Sequence, residues 1–150
     1  MPRLLIVHHS PTPSIRSIAD AVIEGARSAA EDGVEIVVRE ALDATIEDVL
    51  AADGYLLGTP ANFGYISGAL KHFFDTTYDD THQATARRPF SYWIHGRFDT
   101  TGAERAMQSI TTGYKFKLAH EPLVFTGDVS EEHLGAAAEL GATVAWTLTM

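Results

Sequence analysis

One segment of this sequence combines the residue types that a flat, ring-shaped ligand needs. It reads Gly58-Thr-Pro-Ala-Asn-Phe-Gly64, and its candidate contacts are Pro60, Ala61, Asn62, Phe63 and Gly64. Glycine lets a ligand approach the backbone closely, proline stiffens the turn, and an exposed phenyl ring can stack on another ring. The segment therefore predicts a loop that lies against a planar group.

A second candidate segment, His8-His-Ser-Pro-Thr-Pro-Ser14, lies between an apolar run and a helical pattern. Hydroxyl groups and the free N–H groups of a helix N-terminus are donors for phosphate oxygens. Pro11 and Pro13 have no N–H, which removes two backbone donors. Ser14 is either one of these donors or only the N-cap of the helix, and both roles are compatible.

The elements that must position these loops alternate between strand and helix. The predicted strands are Arg3–Val7, Gly33–Arg39, Gly54–Leu57, Pro89–Ile94 and Pro122–Thr126. Helical spacing of apolar residues follows each of them, including a short helix over 41–52. This alternation predicts one α/β domain over 1–150: a five-stranded parallel sheet of order 2-1-3-4-5, with helices on both faces in a three-layer sandwich. Both candidate loops then meet at the carboxyl edge of the sheet.

The residues from Pro60 onward also resemble a known family pattern. Pro60, Phe63, Gly64, Ser67, Gly68, Lys71, Phe74 and Asp75 match the ring-binding loop and the following helix of flavodoxin-like FMN proteins. The resemblance is greatest to NAD(P)H:quinone oxidoreductases of the Trp-repressor-binding-protein-A type and to NADPH-dependent FMN reductases. An ordinary strand-to-helix turn is the alternative interpretation.

This resemblance implies a particular set of FMN contacts. It implies that the FMN phosphate lies on a loop formed by Ser10, Thr12, Pro13, Ser14 and Ile15. Arg16 could add a charge there. It also implies that a third loop with Gly96, Arg97 and Phe98 borders the ring, although the family version contains more glycine. Arg97 would lie near the reduced flavin or, alternatively, form a surface ion pair.

The same resemblance implies an oxidoreductase that moves hydride from NAD(P)H to FMN and electrons on to a quinone-like acceptor. The flavin would do the chemistry, so no side chain is nominated as a catalytic acid or base. A flavodoxin-type carrier that docks to redox proteins is the competing hypothesis, which the acidic surface suits. A family member that has lost its flavin is a third, because of the two prolines.

Composition excludes other classes of protein. The absence of cysteine excludes disulfides, thiolate metal sites and the cysteine-dependent phosphatases that share a doubly wound fold. A phosphorelay receiver would need an aspartate at the end of the third strand, where Gly58 and Thr59 stand. The net charge of −9 argues against nucleic acid and anionic membranes as partners. No apolar run is long enough to span a membrane, and we expect a cytoplasmic protein, with a homodimer as the expected assembly.

Two remaining segments carry weaker signals. Residues 76–88 are polar without a clear period and predict a loop or a loose helical turn. Asp79, Asp80 and His82 in it are interpreted as solvated residues and not as metal ligands. His120 precedes the fifth strand, near a histidine that the quinone reductases carry there. Its alternatives are a surface or capping role and a position facing the substrate.

Overall fold

A computed structural model describes residues 1–150 and contains seven strands and five helices. The strands are β1 (Arg3–His8), β2 (Glu35–Glu40), β3 (Gly54–Asn62), β4 (Tyr65–Ile66), β5 (Pro89–Gly96), β6 (Lys117–Leu118) and β7 (Leu123–Thr126). The helices are α1 (Pro13–Ala30), α2 (Ile46–Ala51), α3 (Gly68–Thr81), α4 (Thr101–Tyr114) and α5 (Glu131–Thr147).

The sheet confirms the predicted parallel order and adds two features. Its path is β2-β1-β3-β5, and β6 and β7 both pair with β5 in parallel, so the fifth position holds two short strands. Between them the chain leaves the sheet, and Ser91 donates a hydrogen bond to the His120 carbonyl at 2.8 Å. The second addition is β4, which forms an antiparallel hairpin with β3.

The central strands are buried because both faces of the sheet are covered. Along β1, Leu5 and Val7 pack toward one core layer while Leu4 and Ile6 pack toward the other, and all four are fully buried. A strand covered on both faces is apolar throughout, which explains its run of consecutive hydrophobic residues.

One face of the sheet is covered by α1 and α5, whose backbones touch. A Cβ on Gly25 would overlap the Ala138 carbonyl, and a Cβ on Gly141 would overlap the Val22 carbonyl. The two glycines therefore set how closely these helices pack. Near its end, α5 buries Val144 on the sheet but leaves Trp146 more than half exposed.

The opposite face is covered by α2, α3 and α4. Here the prediction of a loop or loose helical turn over 76–88 is wrong for 76–81, which belong to α3, while 82–87 form turns. Helix α3 continues to Thr81 because its threonines satisfy their own hydroxyls within the helix. Thr77, Thr81 and Thr85 each donate to the carbonyl four residues earlier and are buried. Such threonines look polar in the sequence but behave as core residues.

A buried hydroxyl group joins α3 to α4. The Tyr114 hydroxyl donates to the Phe74 carbonyl at 2.7 Å and lies 2.9 Å from the Thr77 hydroxyl. Burial raises the pKa of Tyr114 well above its ordinary value. The bond joins α3 and α4, the helices that follow the loops of Phe63 and Phe98.

The second helix is shorter than predicted, because a turn occupies 41–43 and α2 begins only at Ile46. Thr45 and Asp48 form a reciprocal capping box at its start. Asp48 also lies 3.3 Å from the Arg39 guanidinium, so this acid has a structural role beyond solvation.

Candidate functional site

The loop between β1 and α1 is organised by Thr12. Its backbone is extended, and its hydroxyl accepts the Ile15 N–H at 3.3 Å. Thr12 is therefore the N-cap, and Ser14 lies within the first turn and does not cap the helix. Pro13 occupies the first helical position, where the missing N–H costs no helical hydrogen bond.

This loop presents several donors that have no protein acceptor. The backbone N–H groups of Ser10, Thr12 and Ser14 make no hydrogen bond within the protein, whereas the Ile15 N–H is taken by Thr12. The hydroxyls of Thr12 and Ser14 are on exposed residues. Free N–H groups at the start of an 18-residue helix favour an anion, both as donors and through the helix dipole.

Arg16 is not free to serve that anion. Its guanidinium lies 3.0 Å from the Glu40 carboxylate, and both side chains are about half exposed. The pair ties the first turn of α1 to the end of β2. The donors available to a phosphate on this loop are therefore hydroxyls and backbone N–H groups.

The second loop is a tight hairpin turn between β3 and β4. Phe63 and Gly64 both have positive φ, at 49° and 74°, which is the conformation of a two-residue turn that matches the twist of a hairpin. Phe63 is fully exposed even though it is apolar and adopts a conformation rare for a bulky residue. An exposed aromatic residue with a strained backbone at a loop tip makes this turn a candidate for ligand contact.

The turn is positioned by close contacts on two sides. Ser67 donates its N–H to the Thr59 hydroxyl at 2.9 Å, which ties the start of α3 to β3. A Cβ on Gly102 would overlap the Gly64 carbonyl oxygen, so the first turn of α4 lies directly against the hairpin. Of the predicted contacts here, Pro60 is buried in β3, Ala61 is half-buried, and Asn62 and Phe63 are exposed.

The third loop follows β5 and presents a second aromatic ring. Gly96 is buried at the end of β5, whereas Arg97 and Phe98 are exposed, Phe98 to 90 %. Arg97 takes part in none of the four ion pairs of the structure, which removes the surface ion pair as its explanation. Asp99 accepts the Thr101 N–H at 2.9 Å, and the hydrogen bonds from Thr101 lower the pKa of Asp99.

The sheet brings the three loops to one edge. The His9 N–H donates to the Gly58 carbonyl at 3.0 Å, which joins the first loop to β3. A Cβ on Gly96 would lie 3.1 Å from the Ala61 Cβ, so the third loop adjoins the second. The three loops that carry the predicted phosphate and ring residues thus adjoin one another at the carboxyl ends of β1, β3 and β5.

Two buried histidines at this edge are absent from the residues predicted from sequence. His8 ends β1, and its Nδ1 lies 2.8 Å from the Ser10 hydroxyl oxygen. His95 lies near the end of β5, where its Nε2 donates to the Gly127 carbonyl at 2.6 Å. The available signal was a histidine at the polar end of an otherwise apolar strand run.

The other histidines and acids singled out from sequence lie elsewhere. His120 sits beside the middle of β5, half-buried, and its Nδ1 donates to the Glu121 carbonyl. His82 stacks on Tyr78 at the end of α3 with ring centroids 4.3 Å apart. Nowhere in the structure do three or more His, Asp or Glu side chains lie close enough together to hold a metal ion. None of its helices is both long and apolar enough to cross a membrane.

Solved structures of similar shape define the class of fold. A flavodoxin from the domain Archaea superposes with a TM-score of 0.80 at 12% identity, over 99% of both chains. A WrbA-like flavodoxin from Agrobacterium tumefaciens superposes with a TM-score of 0.78 at 20% identity, over 99% of this chain and 98% of that one. The fold is therefore flavodoxin-like, as the sequence predicted.

The family is shown by sequence. A family model described as NADPH-dependent FMN reductase matches residues 9–127, and the chain belongs to that family. A flavodoxin of Aquifex aeolicus (strain VF5) is 39% identical over 53% of this chain and 42% of its own length. An NAD(P)H dehydrogenase (quinone) of Acidithiobacillus ferrooxidans is 30% identical over 51% of this chain and 48% of its own. The chain thus spans about half the length of the curated relatives it matches.

Proposed function

We propose that this protein is an FMN-dependent oxidoreductase that takes hydride from NAD(P)H and passes electrons to a quinone or a similar small acceptor. The observation that carries the proposal is the junction of an anion-binding helix start with two exposed phenyl rings at one edge of the sheet. A phosphorylated ligand with a flat ring system suits that combination of donors and apolar surface. The family and the quinone dehydrogenase relatives support the same assignment.

In this proposal the first loop holds the FMN phosphate. The hydroxyls of Ser10, Thr12 and Ser14 and the free N–H groups of the same residues would donate to its oxygens. Pro13 and Ile15 would shape the turn, Pro13 by fixing φ and Ile15 by closing the cap on Thr12. Neutral donors suffice because the helix dipole adds a favourable potential at this end.

The second and third loops would hold the ring system. Phe63 and Phe98 would provide apolar surface, with Pro60, Ala61 and Asn62 beneath the hairpin turn. Gly64 and Gly96 would permit a close approach of the ligand to the backbone. Arg97, which has no ion-pair partner, would place a positive charge near the end of the ring that gains electron density on reduction.

Bound FMN would supply the redox chemistry, accepting hydride from the nicotinamide and passing electrons to the acceptor. The protein's own contribution is to bind, orient and shield the cofactor. Phe63 and Phe98 would exclude water from the ring edge while leaving room for the nicotinamide or acceptor. Because the cofactor would carry the reaction, the proposal assigns no side chain as a catalytic acid or base.

A second candidate function is a non-catalytic electron carrier. The net charge of −9 favours it, because an acidic surface steers docking to basic redox partners. A relative in Aquifex aeolicus is itself a flavodoxin, which supports this second candidate.

The deciding experiment adds NADPH or NADH anaerobically to FMN-loaded, desalted protein and follows the visible absorption band of the flavin. Rapid bleaching, followed by recovery of the band on addition of a quinone, is the result expected of the reductase. The same concentration of free FMN in buffer is the control, because its slow reduction sets the background rate.

Two other results would redirect the assignment. Bound flavin that stays oxidised with both nucleotides would indicate a carrier that awaits a protein donor. Loss of all yellow colour on desalting would contradict the FMN assignment and would identify Pro11 and Pro13 as the first residues to replace.

A further inference from the structure

His8 lies directly beneath the loop that carries the anion-binding donors. It is the last residue of β1 and only 1% exposed, and its Nδ1 lies 2.8 Å from the hydroxyl oxygen of Ser10, which is itself 8% exposed. The Trp93 ring closes the inner side, with its centroid 6.2 Å from that of His8. The imidazole is therefore enclosed, and Ser10 is the group that it contacts in the loop.

We propose that His8 is a positioning residue that aims the Ser10 hydroxyl proton at the phosphate of FMN, an inference that rests on the proposed function. A phosphate oxygen can only accept a hydrogen bond, so Ser10 must donate its single proton to it. The Ser10 oxygen must then accept its remaining bond from a donor, and His8 Nδ1–H is the donor in place. The arrangement selects the tautomer of His8 that carries its proton on Nδ1.

The charges around His8 favour the neutral ring. Burial, and after it the Arg16 guanidinium, lowers the pKa of His8 below its ordinary value, while Glu40 and Asp20 oppose the shift and His9 adds to it weakly. Arg16, Asp20, Glu40 and His9 are the charged and titratable groups that face the ring from α1, β2 and the loop. Because the neutral Nδ1 tautomer and the cation both donate from Nδ1, it is the hydrogen bond, and not a charge, that positions Ser10.

Riboflavin, which is FMN without the phosphate, separates this role from a merely structural one. Dissociation constants of FMN and riboflavin are measured by flavin fluorescence quenching for the apoprotein and its variants. His8→Leu, which removes the donor at similar volume, is expected to weaken FMN binding at least tenfold and riboflavin binding less than twofold. His8→Asn, whose side-chain amide retains a donor near the Nδ1 position, is expected to recover part of the loss.

Three further variants sharpen the comparison. Ser10→Ala is expected to give the same phosphate-dependent loss, and the double variant His8→Leu/Ser10→Ala is expected to lose no more than either single variant. His95→Leu is the matched control, because His95 is also a buried histidine at this edge but bonds to Gly127 instead. It is expected to leave the ratio of the riboflavin and FMN dissociation constants unchanged.

The inference would be overturned if His8→Leu weakened the binding of FMN and riboflavin by the same factor. It would also be overturned if the double variant weakened FMN binding by the product of the factors of the two single variants. If His8→Leu does not fold, His8→Phe, which also removes the donor, Ser10→Ala and their double variant provide the same cycle. A wild-type protein that binds FMN no more tightly than riboflavin would overturn this inference alone, because NADPH could still bleach the bound flavin. Failure of that bleaching with intact phosphate discrimination would overturn only the reductase assignment.

Discussion

Phe63 lowers the stability of the free protein at a position where we propose that it binds FMN. It is fully exposed and has φ of 49°, so it gains little from packing in the free protein and strains the backbone. A bulky residue in the left-handed region costs roughly 1–2 kcal/mol relative to glycine. The proposed FMN site would account for such a residue, because the bound flavin would cover the Phe63 ring.

Replacing Phe63 with glycine should therefore change stability and binding in opposite directions. The free energy of unfolding of the apoprotein is expected to rise by up to about 1 kcal/mol, because glycine adopts positive φ without strain. FMN binding is expected to weaken by about 0.5–1.5 kcal/mol, the value of an aromatic pair. Urea denaturation and fluorescence titration measure the two quantities.

The matched control is Phe98→Gly, because Phe98 is also exposed but has no positive φ. This variant should weaken FMN binding without any gain in stability. A loss of stability in Phe63→Gly, or unchanged FMN affinity, would contradict the assigned role of the Phe63 ring.

Among the elements, α4 supports the turn of the β3–β4 hairpin, which carries Phe63 and Gly64. Gly102, in the first turn of α4, lies so close to the Gly64 carbonyl that a Cβ would overlap it. The hairpin turn is thus held by backbone contact, and the helix itself is anchored through Tyr114 to α3. Movement of one element would move the other.

Gly102→Ala tests this support. The added methyl group must displace the hairpin turn, and we expect FMN affinity to fall about tenfold even though alanine has the higher helix propensity. Gly113→Ala, in the same helix, is the control, because its Cβ would make only an ordinary contact of 3.8 Å with Tyr78. Gly113→Ala should retain wild-type FMN affinity. Equal affinities of the two variants would show that the hairpin does not depend on α4.

At the scale of the whole molecule, buried ionisable groups limit stability at both ends of the pH range. Burial raises the pKa of Tyr55, Tyr92 and Tyr114 and lowers that of His8. Above the ordinary tyrosine pKa of about 10, the folded protein binds more protons than the unfolded chain, so stability falls as the pH rises. Below the ordinary histidine pKa of about 6.5, the unfolded chain binds more protons, so stability falls as the pH drops.

Apoprotein stability should accordingly be greatest between about pH 6.5 and pH 10. Urea unfolding midpoints at pH 5.5, 8 and 10.5 would measure this profile. His8→Asn should flatten the acid side, since the neutral amide does not titrate, and Tyr114→Phe should reduce the alkaline slope. An acid slope identical in wild type and His8→Asn would show that other groups control that side.

Much of the architecture follows from the order of residues alone. Apolar runs such as Arg3–Val7 predict strands that are covered on both faces, because burial of two faces requires apolar residues at consecutive positions. The helical spacing after each run predicts the helices that cover them. The prediction of a loop or loose helical turn failed over 76–81, since buried threonines that bond to their own helix have the composition of a loop, whereas 82–87 do form turns. The hairpin turn at Phe63 was also missed, although Asn-Phe-Gly carries a turn signal.

The candidate site was likewise predicted in part from the sequence, and in part decided by the tertiary structure. The sequence by itself determined the family, the fold class and the three loops, because glycine, proline, hydroxyl and aromatic residues reveal local backbone chemistry at short spacing. Only the tertiary structure decided which donors are free, that Glu40 occupies Arg16, that Gly102 holds the turn, and that His8 contacts Ser10. The contacts of Glu40 and Gly102 join elements that are distant in sequence, so no local pattern specifies them. His8 and Ser10 are only two residues apart, but their hydrogen bond depends on the burial of the end of β1, which the packed sheet decides.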